Sequence, residues 1–124
     1  MIEYQLPWPP PELSPNSRIH WAKKFAAKRK YRSHCDIVVL DQGVKPLDPE
    51  ADYVLHMTFI PPDKRNYDVD NLIARMKSGL DGLCDALNID DKRFSSVGAS
   101  VSRDSIGGFV RVRIHTFLGD DDDS

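Results

Sequence analysis

"YVLHMTFIPPDKRNYDVDNLIARMKSGLDGLCDALNIDD", Tyr53–Asp91, holds both structural periods in one run. At its start Tyr53, Leu55, Met57 and Phe59 alternate with smaller or polar neighbours, the pattern of a half-buried strand. The prolines of PPDKRN, from Pro61 to Asn66, break the chain. From about Val69 to Leu87 the period becomes that of a helix. At about 100° per residue, Leu72, Ile73, Met76, Leu80, Leu83, Cys84 and Leu87 fall within about 60° of Val69. Asp70, Lys77 and Asp81 fall between about 80° and 120°, a polar column beside that apolar stripe. Asp68 stands where an N-cap belongs, and Asp90 and Asp91 follow the helix end.

Upstream, Ile2, Tyr4 and Leu6 share one side of a short strand that Pro7 ends. The stretch PWPPPELSPNS, Pro7–Ser17, reads as an extended loop, because its prolines remove donors and fix the backbone. Ser14 with Pro15, or Ser17, then starts a helix reaching about Leu40. Ile19, Ala22, Ala26, Ser33 and Ile37 give it a weak apolar stripe. Asp41–Glu50 is a loop. Downstream, Val97, Ala99 and Val101 alternate, RDSIGG from Arg103 supplies a turn, and Val110, Val112 and Ile114 oppose Arg111, Arg113 and His115. The order strand, helix, strand, helix, strand, strand predicts an α+β fold. It is a single domain, a roughly four-stranded mixed sheet with two long helices packed on it. The helices supply crossovers and the last two strands form a hairpin.

A chain of 124 residues is one domain and buries a core without staples. We assign residues 1–118 to it and 119–124 to a disordered acidic tail. Cys35 and Cys84 lack metal spacing and read as reduced thiols. No apolar run approaches the roughly 20 residues of a membrane span, and the N-terminal stretch lacks a signal-peptide pattern, so a cytoplasmic protein without a membrane partner is expected. The net charge is −2, yet Asp120–Asp123 alone contribute four acids, and the remainder is 17 basic against 15 acidic. Between Arg18 and Arg32 stand Arg18, Lys23, Lys24, Lys28, Arg29, Lys30 and Arg32, with no acid among them.

Asp68, Asp70, Asp81, Asp90 and Asp91, with Lys77, can thus meet in one cleft if the fold returns the later pair to the helix head. Hard divalent cations take such oxygens, and Mg²⁺, which keeps several waters, suits two or three aspartates better than a closed Ca²⁺ cage does. Such an ion serves phosphoryl transfer, with Lys77 neutralising developing charge. D-x-D at a helix head is equally an N-cap arrangement, and D-D after a helix equally a turn.

The segments LPWPP, PDKRNYDVDNL, a following lysine and DGLCDALNIDD resemble the RusA-type Holliday junction endonucleases, from Leu6 to about Val97. These are small bacterial and prophage enzymes of DNA recombination and repair. The resemblance implies a homodimer that resolves four-way junctions by paired symmetric nicks with Mg²⁺, Mn²⁺ being a possible substitute. It implies that the essential carboxylates are Asp68, Asp70 and Asp91, with Asp90 as an auxiliary metal ligand. The family lysine falls four residues after the second aspartate, which is Ala74 here. Lys77, seven residues on, keeps the same flank to within about 60° and sits about 4.5 Å further along the helix. It takes the catalytic role, with Arg75, which points well away from Asp70, as the runner-up.

The basic segment suits DNA phosphates, or is a solvated helix face. Lys64 and Arg65 precede Asp68 and would hold a strand beside the metal, and Asn16 lies in a Pro–Asn loop suited to substrate. Arg111 and Arg113 extend that surface or form salt bridges. Trp8 and Trp21 pack on the core or on a partner chain, the preferred reading, or stack on an unpaired base. The four histidines share no face and receive no catalytic role. The sequence therefore points to a Mg²⁺-dependent structure-selective endodeoxyribonuclease for branched DNA. The alternatives are a catalytically inactive branched-DNA-binding protein, a nuclease for another branched or flap substrate, and a Ca²⁺-binding or purely structural acidic site.

Overall fold

The computed structural model describes residues 1–103 and 106–117. The assigned acidic tail lies outside the described residues, as do two positions of the RDSIGG turn. Four strands, β1 (Ile2–Pro7), β2 (Tyr53–Ile60), β3 (Phe94–Val101) and β4 (Phe109–Thr116), form one sheet in the order β1-β4-β2-β3. Three helices are present among the described residues: α1 (Trp21–Gln42), α2 (Val69–Arg75) and α3 (Lys77–Leu87). The α+β class and the mixed sheet are as the residue pattern predicts.

Alternation places the strands. Tyr4 and Leu6, then Leu55, Met57 and Phe59, then Val110, Val112 and Ile114 are buried on one face, with Tyr4 opposite Val112 and Leu55 opposite Ile114. Tyr31, Cys35 and Val39 of α1 and Leu72, Met76, Leu83 and Leu87 of the crossover complete that core. The other face is polar: Glu3 pairs with Arg111 and Arg113, and the His56 ring lies 3.1 Å from the Ser100 hydroxyl.

Four local expectations are corrected. The last two strands are not a hairpin: β4 runs antiparallel between β1 and β2, while β3 lies parallel to β2 at the edge. The proline-rich loop contains one 3-10 turn, Pro11–Leu13, because proline supplies the starting φ and Leu13 donates to the Pro10 carbonyl at 3.1 Å. α1 starts later than expected, at His20, whose Nδ1 accepts from the Ala22 amide at 3.1 Å. Its buried face is Tyr31, Cys35 and Val39, and Ile37 of the expected stripe is 60% exposed.

The fourth correction governs the site. The helix expected over Val69–Leu87 breaks at Met76, whose φ of −87° and ψ of −7° let its amide reach the Ile73 carbonyl, a 3-10 bond, at 3.1 Å. No proline causes this. The Tyr31 hydroxyl donates to the Pro7 carbonyl at 2.6 Å and meets Met76 Sδ at 3.2 Å, while Arg75 donates to the Pro9 carbonyl. The corner is thus held from two sides by tertiary contacts. Arg75 turns inward to 7% exposure and Ile73 turns outward to 39%.

Candidate nucleic-acid interface and acidic sites

Asp68 caps α2, its Oδ1 accepting the Asp70 amide at 3.0 Å. Asn71 Nδ2 donates to Ser14 Oγ at 2.9 Å, which ties the first turn of α2 to the loop after β1. The Asp68 and Asp70 carboxylates are exposed, so water screens their repulsion, and among the described residues neither enters an ion pair. Other acids are spent: Glu3, Asp52, Asp63 and Asp85 each face an arginine.

Asp90 and Asp91 follow the C-terminal end of α3. Asp90 Oδ1 accepts the Lys92 amide at 2.9 Å, and that bond, followed by one to the Asp91 carboxyl, holds Asp90 below the usual carboxylate range. Burial pushes the Cys84 thiol up to about 12, with the charges of Asp91, Asp81, Asp85 and Asp90 adding to the rise.

The topology keeps the two acidic groups apart. In the parallel pair, Tyr53 lies beside Phe94 and Phe59 beside Val101. Asp91 enters at the end where β2 begins, where Arg93 reaches Asp52 at 3.6 Å. Asp68 follows the loop leaving the opposite end, where Arg103 reaches the Tyr67 carbonyl at 3.5 Å. Seven strand steps of about 3.3 Å put roughly 23 Å between the two ends. The single pocket expected for Asp68, Asp70, Asp90 and Asp91 is not formed within one chain: among the described residues no three His, Cys, Asp or Glu side chains are grouped to hold a metal. Asp68 and Asp70 thus stand in one group and Asp90 and Asp91 in another.

The helix break also splits the expected polar column. Asp70 stays on α2, while Lys77 and Asp81 open α3 and line a pocket of about 420 Å³ with Lys24 and Lys28 of α1 and with Arg75 and Ser78. Asp70 is not in its lining. Along the basic segment, Lys24 Nζ donates to the Ser14 carbonyl at 3.1 Å, and the Arg29 guanidinium sits 5.9 Å over the Phe25 ring. Arg18, Lys23, Lys28 and Lys30 are exposed and form no ion pair among the described residues. Arg32 differs from its neighbours, since it grips Asp85 through two bonds of 2.7 and 2.9 Å. Arg65 is held by Asp63 at 3.0 Å and by the Tyr67 hydroxyl, which leaves Lys64 as the freer cation beside Asp68. Asn16 is exposed, its amide donating to Ser14 Oγ at 3.2 Å.

The tryptophans separate. Trp8 packs against Tyr67 at 5.4 Å and Phe59 at 6.0 Å, with the Arg75 guanidinium 5.9 Å from its ring. Trp21 is 74% exposed and stands on α1 one turn before Phe25, itself 56% exposed. Sequence reasoning missed Arg75, because an unbroken helix turns that residue toward solvent. The signal lay elsewhere, in the prolines that leave the Pro9 carbonyl without a ladder partner.

The geometry defines a two-layer α+β domain with a parallel β2–β3 crossover, two separated acidic groups and a basic helix. No family model matches the chain. It is 40% identical over 98 residues to an uncharacterized protein of Xylella fastidiosa (strain Temecula1 / ATCC 700964), an alignment that covers 77% of this chain and 64% of the relative's length. Among the described residues no helix is long and apolar enough to cross a membrane.

Proposed function

We propose that the protein is a divalent-cation-dependent, structure-selective endodeoxyribonuclease of the RusA type, acting on four-way DNA junctions as a homodimer. One observation carries this reading. The aspartates singled out by the resemblance, Asp68, Asp70 and Asp91, are exposed and outside every ion pair among the described residues, so their carboxylates are open to a cation. Free carboxylates in a chain whose basic run, Arg18–Arg32, holds no acid suit a task other than stability. Lys23, Lys28, Lys30 and Arg18 would take phosphates, and Lys64 would hold a strand close to Asp68.

Because Asp91 stands at the opposite end of the crossover from Asp68 and Asp70, a complete donor set requires a second copy. A two-fold pair that brings Asp91 of one copy to the head of α2 in the other would make two equivalent sets, which matches two symmetric cuts. A second reading, a branched-DNA-binding protein without catalysis, draws support from the same separation. A labelled synthetic four-way junction incubated with Mg²⁺ decides between them. The nuclease reading expects nicks near the branch point that disappear with EDTA and with Asp70→Asn. Junction-selective binding without any nick from the wild-type chain would leave the binding reading standing and remove the nuclease.

A further inference from the structure

The pocket between α1 and the α2–α3 corner holds an imbalance that the acidic groups do not explain. Lys24, Lys28, Lys77 and Arg75 line it against a single carboxylate, Asp81. Arg75 is 7% exposed and forms no ion pair among the described residues, where it donates to the Pro9 carbonyl and faces the Trp8 ring. Its Nε is buried without a hydrogen-bond partner among the described residues, and so is the hydroxyl of Ser78 in the same wall. A guanidinium taken out of water with no carboxylate in ion-pair contact is costly, and the charge of Glu12 offsets only part of that cost. An anion seated before it recovers part of that cost, at a place lined also by the ammonium groups of Lys24, held by the Ser14 carbonyl, and of Lys28 and Lys77.

We propose that this pocket is a phosphate site, with Lys24, Lys28 and Lys77 as its direct ligands and Arg75 as a fixed charge behind them. Lysines can take this task as compact point charges on flexible stems that reach an anion from several directions. The Asp81 carboxylate, one helical turn after Lys77, lines the same pocket, and the four cations against it leave an excess of three positive charges. Lys77 then grips a strand at a phosphate distinct from any reacting at Asp68 and Asp70, and is a positioning residue. The source of the phosphate as a DNA backbone rests on the nuclease reading. The chemistry of the pocket serves free phosphate equally.

Two probes separate these sources. Inorganic phosphate is compared with chloride at matched ionic strength by thermal unfolding and titration calorimetry. A twelve-residue oligothymidylate is followed by fluorescence anisotropy in EDTA. Phosphate is expected to raise the melting temperature of the wild-type chain above its value in chloride and to compete with the oligonucleotide. Lys24→Gln with Lys28→Gln is expected to abolish the rise and to lower the log–log salt slope for the oligonucleotide by about 1.4. Lys45→Gln, remote from the pocket, is expected to change neither, and the single Lys28→Gln on an exposed stem keeps the test open if the double variant fails to fold. Equal stabilisation by phosphate and chloride, or a rise that survives in the lysine variants, overturns the pocket. Oligonucleotide binding with no response to these variants overturns the backbone source even if phosphate binds. Phosphate binding in a protein that ignores DNA altogether supports the pocket and removes the proposed function.

Discussion

Cys84 and Cys35 show how single buried groups couple this fold to pH. Cys35 is fully buried and Cys84 is 8% exposed. Burial pushes each thiol up to about 12. A hydrogen bond with Tyr31 partly offsets the rise at Cys35, and four aspartates add to it at Cys84. An unfolded chain ionises its thiols near 8.5. Between these values the unfolded chain has lost protons that the folded chain keeps. The thiol contribution is therefore whole below about pH 8.5 and is lost toward about pH 12, at about 1.4 kcal/mol per pH unit for each thiol. Urea unfolding between pH 7.5 and 10.5 should show a flat midpoint at first and a decline above about pH 9. Cys84→Ala should begin less stable, because a small cavity is left, and should decline with a shallower slope. Parallel slopes for the two proteins would remove this account, since lysine and tyrosine titration is common to both. Native protein should also react slowly with a thiol reagent, in keeping with thiols held protonated at neutral pH.

At the scale of elements, the contact between α1 and α3 is set by glycine. A Cβ on Gly82 would sit on the Arg32 carbonyl oxygen, and one on Gly79 would meet the Tyr31 ring and Cys35 Sγ. The first obstacle is backbone and cannot swing away. Alanine improves helix propensity by about 1 kcal/mol over glycine, so the sign of Gly82→Ala tests which effect wins. The steric term should dominate, with a net loss of about 1–3 kcal/mol, measured by chemical unfolding. A neutral or stabilising result would mean the helices separate more easily than this packing implies. The strands were legible in the sequence because Tyr4, Leu55, Val112 and their neighbours obey a strict period of two, as was the capping position of Asp68. The buried face of α1 was not, since Tyr31, Cys35 and Val39 are few among six cations and the decoy Ile37 is as apolar as any of them. The break at Met76 left no local mark either, being imposed by Tyr31 and by the Pro9 carbonyl from distant parts of the chain. Strand order lies beyond periodicity: nothing within Phe109–Thr116 says that it inserts beside β2 and leaves β3 at the edge. That one choice sends Asp91 to the opposite end from Asp68, so the acids were readable as residues and unreadable as a site.

The whole molecule decides whether those acids work together. If two copies share their donor sets, the head pair of one and Asp91 of the other form a unit that neither chain contains. Asp70→Asn removes a head carboxylate and Asp91→Asn removes the distant one, so each homodimer should leave a four-way junction uncut. Both carboxylates are exposed, so neither change should cost appreciable stability. Co-expressed in equal amounts, the two variants should pair at random, and about half of the dimers would be mixed. In a mixed dimer one set carries both substitutions and the other carries none. Such a dimer should restore nicking in the presence of Mg²⁺ but should cut one strand per encounter, so nicked junctions accumulate without the paired cuts that release two duplexes. The ratio of nicked to resolved product, read on native and denaturing gels, distinguishes this from contamination by wild type, which would give both. If mixed dimers are verified by native mass spectrometry and the junction still remains intact, the shared set is excluded. The branched-DNA-binding reading would then be the one compatible with acids held at opposite ends of the β2–β3 crossover.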